Sequence, residues 1–374
     1  MRGPEDLPAV SRARRAGWWC PAGRATEGEA QMAQERARLR LVDVAEEAGV
    51  SIAAASRALS GSAGVSDVIA QRVREVAERM GYVANVHART LAGGASTSVG
   101  LLVHEIGDPY FTEIASGVLR VGARQGLTVQ ICHTGRDPDN ELAQVRTLIA
   151  NRVRAILIAG SGFVDARAQA AVKKELQAFQ ASGGRVAVIG RHHLGTDAVL
   201  PDNTAGGRTI TEHVLSLGHR RIAFAAGPPA LTTVADRLAG AGQALGEAGL
   251  TLDDVPVVEA AFTREGGFHA TWRILEEHPD VTAVIALNDD MAIGVLSALR
   301  ARGIAVPGEM SVAGFDDVAV AEHLSPALTT VRLPMTEMGE QALLLALKPQ
   351  SSRPRRRSTA HTLVVRESTA PPRE

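Results

Sequence analysis

Residues whose types and spacing could do chemistry fall into two groups. The first sits in Leu41–Ser60, LVDVAEEAGVSIAAASRALS, where two short helical patterns flank Gly49 and where Ser51, Ser56 and Arg57 are polar with no evident core to join. That is the outline of a helix-turn-helix, and its chemistry is DNA reading. Ala55, Ala58 and Leu59 supply a buried stripe, while Ile52, Ala53, Ser56 and Arg57 share the opposite face, where a base edge comes within reach. The second group is His104, Asp108, Arg191, Asn288, Asp289 and Asp316, each just past the end of a predicted strand. Ligands of open α/β folds bind outside the carboxyl ends of the strands.

The elements that must position these residues are legible in the periodicity. Leu41, Val44, Ala45 and Ala48 recur at helical spacing, Gly49 is placed to end that helix in the left-handed conformation, and Ser51 to cap the next. A third helix follows Ser66, with Ile69, Val73, Val76, Ala77 and Met80 on one stripe and Gly81 at its end. Three short helices around one core make a headpiece over 39–84, near the lower size limit for independent stability. Residues 85–97 hold the short helical pattern NVHARTL and then Gly93-Gly94. So short a helix needs something to hold it, and the periodicity alone fits a plain linker equally well.

After Thr97 strands alternate with amphipathic helices. The predicted strands are 99–104, 127–133, 155–159, 185–189, 221–225, 283–287 and 310–314. Near-continuous Val/Ile/Ala strands between helices mean parallel sheets covered on both faces, and so many units imply two similar lobes, breaking near Pro201. The expected organisation is 98–202 with 332–348 in one lobe, and 203–331 with 349–374 in the other. The run KPQSSRPRRR (Lys348–Arg357) breaks the pattern and reads as a solvated loop, with a phosphate-binding patch as the alternative. His361–Ser368 reads as one more short strand. Residues 1–38 are expected to be a disordered extension, with Met32 a candidate true start.

Composition narrows the function. A net charge of −1 gives no global sign of nucleic-acid binding, so that reading rests on local residues. Two cysteines exclude a disulfide framework, and the first thirty residues hold arginines but no apolar signal core, so a cytoplasmic protein is expected. There is no GxxxxGK[ST], no GxGxxG after a strand, no GxSxG and no HExxH, and His192-His193 lacks a carboxylate at metal spacing. An enzyme is not expected, nor is a cofactor or metal.

The strings VDVAEEAGVS, SRALSGSAGVS, RVREVAERMGY, IGDPYF, PDN, DRLAG, LNDDMAIG and GFDD, in that order, resemble the lac repressor family of bacterial transcription factors. The resemblance spans nearly all of Arg38–Ser368. It implies a small all-α helix-turn-helix headpiece followed by a two-lobed α/β sensor with parallel sheets, like periplasmic sugar-binding proteins. It implies that Ile52, Ala53 and Arg57 face the major groove and that Ser51 and Ser56 contact phosphate. It turns 85–97 into a hinge helix in the minor groove, lined by Asn85, His87 and Ala88, with Leu91 wedged between base pairs. In the sensor it implies that Arg237, Asn288, Asp316 and Phe111, together with the strand-end residues His104, Asp108 and Arg191, bind the effector. Arg40 replaces the usual capping Ser or Thr of the first helix, Ala54 and Ala55 replace Thr and Val, and Gly190 stands where many members carry an acidic residue.

The expected function is a homodimeric repressor that binds a near-palindromic operator in double-stranded DNA and responds to a small molecule, a sugar or sugar derivative. The rival from the same two-lobed fold is a solute-binding protein of a transport system, which leaves Leu41–Gly81 unexplained.

Overall fold

The computed structural model describes residues 39–60, 63–82 and 96–373, in two units that divide between Gly94 and Ala95. The expected extension 1–38 and the hinge positions Asn85, His87, Ala88 and Leu91 lie outside the described residues.

The headpiece unit holds α1 (Leu41–Glu47), α2 (Ile52–Ser60) and α3 (Asp67–Met80). Its core is Val44, Ala45, Ala48, Ala55, Ala58 and Val73, with other small residues of α3. Alanines at these positions let the three helices approach closely, at the cost of little apolar area each. Arg40 has no acceptor to offer the first turn of α1. Asp43 compensates by taking the Arg40 amide at 2.7 Å and its guanidinium at 3.4 Å. Gly49 turns the chain at a φ of 66°, Ser51 Oγ accepts from the Ala54 amide at 3.2 Å, and Arg79 of α3 reaches Glu47 of α1 at 3.0 Å.

The sensor unit contains two parallel sheets. The first lobe has strand order β11-β5-β4-β3-β1-β2 and the second β7-β6-β8-β9. The first-lobe strands are β1 (Ser98–Val103), β2 (Thr128–His133), β3 (Ala155–Ala159), β4 (Arg185–Ile189), β5 (Asp197–Pro201) and β11 (Arg356–Thr359). The second-lobe strands are β6 (Ile222–Ala226), β7 (Val257–Glu259), β8 (Ala283–Ala286) and β9 (Ser311–Ala313), with β10 (Thr330–Arg332) and β12 (Thr362–Val364) as an antiparallel ribbon. Helices α4 (Pro109–Arg124), α5 (Pro138–Ala150), α6 (Ala170–Ala181) and α11 (Met335–Leu347) cover the first sheet. Helices α7 (Asn203–Ser216), α8 (Thr232–Glu247), α9 (Arg264–Glu277) and α10 (Asp289–Ala301) cover the second. β3 and β6 are buried at every position, as strands flanked on both faces must be.

The chain crosses between lobes after β5, before α11 and after β11. The last crossing corrects the expected boundaries. β11 pairs parallel with β5, Arg356 opposite Ala198 through Thr359 opposite Pro201, so 349–359 belongs with the first lobe and only the stretch after it returns to the second. The arginine run is therefore partly an edge strand rather than a loop: Arg355 anchors it by donating from its amide to Asp197 at 2.7 Å and pairing with the same carboxylate through its guanidinium at 2.7 Å.

Candidate functional site

The carboxyl ends of both sheets face one cleft. On the second-lobe side its centre is Arg237, on α8 and almost fully buried. α7 and α8 touch backbone to backbone, because a Cβ on Gly207 would collide with the carbonyl of Arg237 and one on Gly240 with the carbonyl of Thr204. That approach brings Asn203 to Arg237: Nε donates to Asn203 Oδ1 at 3.0 Å, one Nη to the Leu287 carbonyl, and the other Nη to Asp316 Oδ1 at 2.7 Å. The guanidinium also lies 3.7 Å over the Phe315 ring.

Asp316 is held in a left-handed conformation, φ 116°, by its amide donating to Val331 O at 2.8 Å and its carbonyl accepting from Leu333 N at 3.2 Å. Burial pushes its carboxyl up to about 8, with Arg237 pulling it down. Asn288 caps α10 by accepting from the Met291 amide at 2.9 Å, which leaves its NH2 for the cleft that it lines. Asp289, grouped by the sequence with the strand-end residues, is a clamp on the loop that carries Asp316. It accepts from Thr330 Oγ1 at 2.6 Å and Val318 N at 2.9 Å, and burial raises its carboxyl to about 6.

The first lobe contributes differently. His104 Nε2 lies 2.9 Å from the Ser161 carbonyl, which can only accept, so Nε2 carries the proton and Nδ1 accepts from Thr134 Oγ1 at 2.9 Å. Burial lowers the ring to about 3. With both nitrogens engaged, His104 forms part of the wall, edge-on to Phe111 at 5.8 Å. Asp108 caps α4 by accepting from the Tyr110 amide at 2.9 Å, and burial raises it to about 6. Phe111 is buried and meets Tyr110 edge to face at 5.0 Å. The lobes close to a cavity of about 30 Å3 between them, room for about two water molecules.

Six of the seven expected effector residues line this cavity: His104, Asp108, Phe111, Arg237, Asn288 and Asp316. Arg191 does not. It makes a bidentate pair with Asp236 on α8 at 2.6 and 2.9 Å, so the neighbour of Arg237 takes up its charge. Around that pair the lobes are stitched by Thr232 Oγ1 to Arg191 O at 2.8 Å, Thr233 N to Ser161 Oγ at 3.0 Å and Val164 N to Ala230 O at 2.8 Å. Gly190, where an acidic residue is usual, has a φ of 112°, and a Cβ there would strike the Gly160 carbonyl.

The cavity also includes Tyr110, Arg136, Ser161, Thr233 and Phe262, none of them anticipated. Arg136 lies just past β2, where the strand-end rule should have found it. It sits 4.0 Å from Asp108 and 5.6 Å from the centre of the Phe262 ring in the other lobe. Phe262 follows β7, which is too short to show in the sequence.

In the headpiece, Ser51, Ile52, Ala53 and Arg57 are exposed and Ser56 half-buried. Ile52, a large aliphatic residue, exposes 52% of its surface. Arg57 forms no ion pair among the described residues, so its guanidinium is unspent.

Residues 40–85 match the family model of bacterial regulatory proteins of the lacI family, and 211–369 that of a periplasmic binding protein-like domain. The regulator DegA of Bacillus subtilis is 32% identical over 88% of this chain and 98% of its own length. GalR of Escherichia coli is 33% identical over 88% of this chain and 95% of its own. This chain belongs to the lacI family. As a lacI-family protein it is a DNA-binding transcriptional regulator with a ligand-binding domain, and its relatives are regulators rather than enzymes. Among solved structures, a complex of the transcriptional regulator CelR with cellobiose aligns at a TM-score of 0.65 with 30% identity, over 88% of this chain and all of its own. The lac repressor bound to ONPG aligns at 0.75 with 25% identity, over 88% and 99%. No helix among the described residues is long and apolar enough to cross a membrane.

Proposed function

We propose that this lacI-family regulator is a homodimeric repressor of a near-palindromic operator, released or engaged by a sugar or sugar derivative held between its lobes. The observation that carries the reading is the Arg237 node. A forked donor, fixed by Asn203 and paired with Asp316, faces the free amide of Asn288 and the carboxylate of Asp108, beside the rings of Phe111 and Tyr110. Donors and acceptors in alternation beside aromatic faces suit a ligand rich in hydroxyls. The cellobiose complex of CelR supports the same class.

In this reading Ser51 and Ser56 fix the headpiece on phosphates while Ile52, Ala53 and Arg57 read bases. Asn85, His87, Ala88 and Leu91 complete the grip in the minor groove. A surface concavity of about 360 Å3 in the second lobe, lined by Ile293, Leu296, Ile304, Val306 and Leu324, supports a subunit contact there. The ligand acts only through its differential affinity for the lobe arrangements that hold and release DNA.

A mobility-shift titration on DNA upstream of the protein's own gene, repeated with a sugar panel, tests the proposal. Sugar binding without DNA binding would favour the transport reading. Arg57→Ala should weaken the specific complex by about 1–3 kcal/mol, roughly five- to 150-fold, while calorimetric sugar binding stays unchanged.

A further inference from the structure

The fold gathers arginines that are far apart in sequence onto one edge of the sensor. In a parallel sheet all strands start on the same side, and the first-lobe strands start beside Ser98, where the chain enters from the headpiece. Arg154 N donates to Ser98 O at 2.7 Å, Arg185 N to Arg154 O at 3.2 Å and Ala198 N to Arg355 O at 2.9 Å. These bonds place the turn before β3, the start of β4 and the segment leading into β11 on one continuous rim. The rim carries Arg152, Arg154, Arg185, Arg353, Arg355 and Arg356. The turns 151–154, 182–184 and 348–355 contain no carboxylate. Asp197 beside them is spent on Arg355 at 2.7 Å. Arg152, Arg154, Arg353 and Arg356 are exposed and form no ion pair among the described residues.

We infer that this rim is a second DNA-contacting surface, which binds backbone phosphates of the duplex flanking the operator. The inference rests on the operator-binding reading above. From β1 to β11 the edge crosses four strand spacings, about 19 Å, a length over which duplex DNA presents about ten phosphate charges. Only about fifteen residues separate Tyr82 from Ser98, at most about 50 Å fully extended. A duplex gripped by the headpiece is therefore held within reach of the rim at high local concentration. An acidic protein would fit the charge but not this tether. Contacts of this kind carry no sequence information; they add affinity and salt dependence.

The test uses the full chain and two duplexes with the same operator, one trimmed to about 20 base pairs and one extended by about 10 on each side. Affinity is read by fluorescence anisotropy over a series of salt concentrations. The wild type should bind the longer duplex about tenfold tighter near 0.1 M salt, with a log–log salt slope steeper by about two to four. The combined variant Arg152→Gln, Arg154→Gln, Arg353→Gln, Arg356→Gln should bind both duplexes alike, with the short-duplex affinity and sugar binding of the wild type. Wild-type protein that binds both duplexes equally overturns the inference, leaves the operator reading standing and reassigns the rim to an acidic partner. Failure to bind either duplex overturns both.

Discussion

The two sides of the cleft are built on different plans. The second lobe offers groups already bound to one another: Arg237 is held by Asn203, Leu287 and Asp316, while Asp289 clamps the Asp316 loop. The first lobe offers aromatic edges and a histidine with both nitrogens used, and its charged pair, Asp108 with Arg136, stands at 4.0 Å. One side is thus an assembled polar socket whose ordering cost is met during folding, and the other a wall that gains its contacts on closing. A ligand hydroxyl should be captured by the second lobe first and covered by the first lobe afterwards.

The sharpest way to break this contrast is Arg237→Ala. Removing one partner of a buried pair leaves Asp316 uncompensated, so the sensor should lose about 3–5 kcal/mol and all effector binding, read by thermal unfolding and calorimetry. Retention of effector affinity would show that the socket is not the anchor. Arg191→Ala should do far less. The pair with Asp236 is partly exposed, worth about 0.2–1 kcal/mol, and effector should still bind, with altered affinity because the lobes close more loosely. Loss of binding on the scale of Arg237→Ala would return Arg191 to the ligand shell.

The smallest effect concerns pH. Burial raises the Asp108 carboxyl from 3.8 to about 6, so the folded state holds the proton more tightly. Its contribution is fully present below the unfolded value and is lost as pH rises through about 6. His104, lowered from 6.5 to about 3, acts in the opposite direction and is lost as pH falls below 6.5. The two offset each other in the wild type. Asp108→Asn should therefore lose stability relative to its own neutral-pH value more steeply than the wild type on acidification from pH 6 to 4, as read from denaturant midpoints. Parallel curves would mean that the carboxyl is not desolvated.

Most of the architecture was legible because it rests on local periodicity. The three headpiece helices and seven of the strands, all but β2 mostly buried, show in the sequence. β5, β7 and β11 did not, since three to five residues of mixed polarity carry no period and owe their pairing to the strand beside them. The strand-end rule pointed to Asp108, Asn288 and Asp316, which line the cleft, and also to Arg191, which does not. Its partner, Asp236, lies on a helix of the other lobe, and a long-range ion pair leaves no local trace. Asp289 shows the same limit: its acceptors are taken by Thr330 and Val318, which only the folded loop brings near.

The glycine seam between α7 and α8 has a consequence for inheritance. Neither Gly207 nor Gly240 touches the cleft, but any side chain at either position must push the helices apart and draw Asn203 away from Arg237. Alleles that are deaf to the signal while still gripping DNA should thus arise at a site remote from the ligand, and this seam has no neutral substitutions through which to drift.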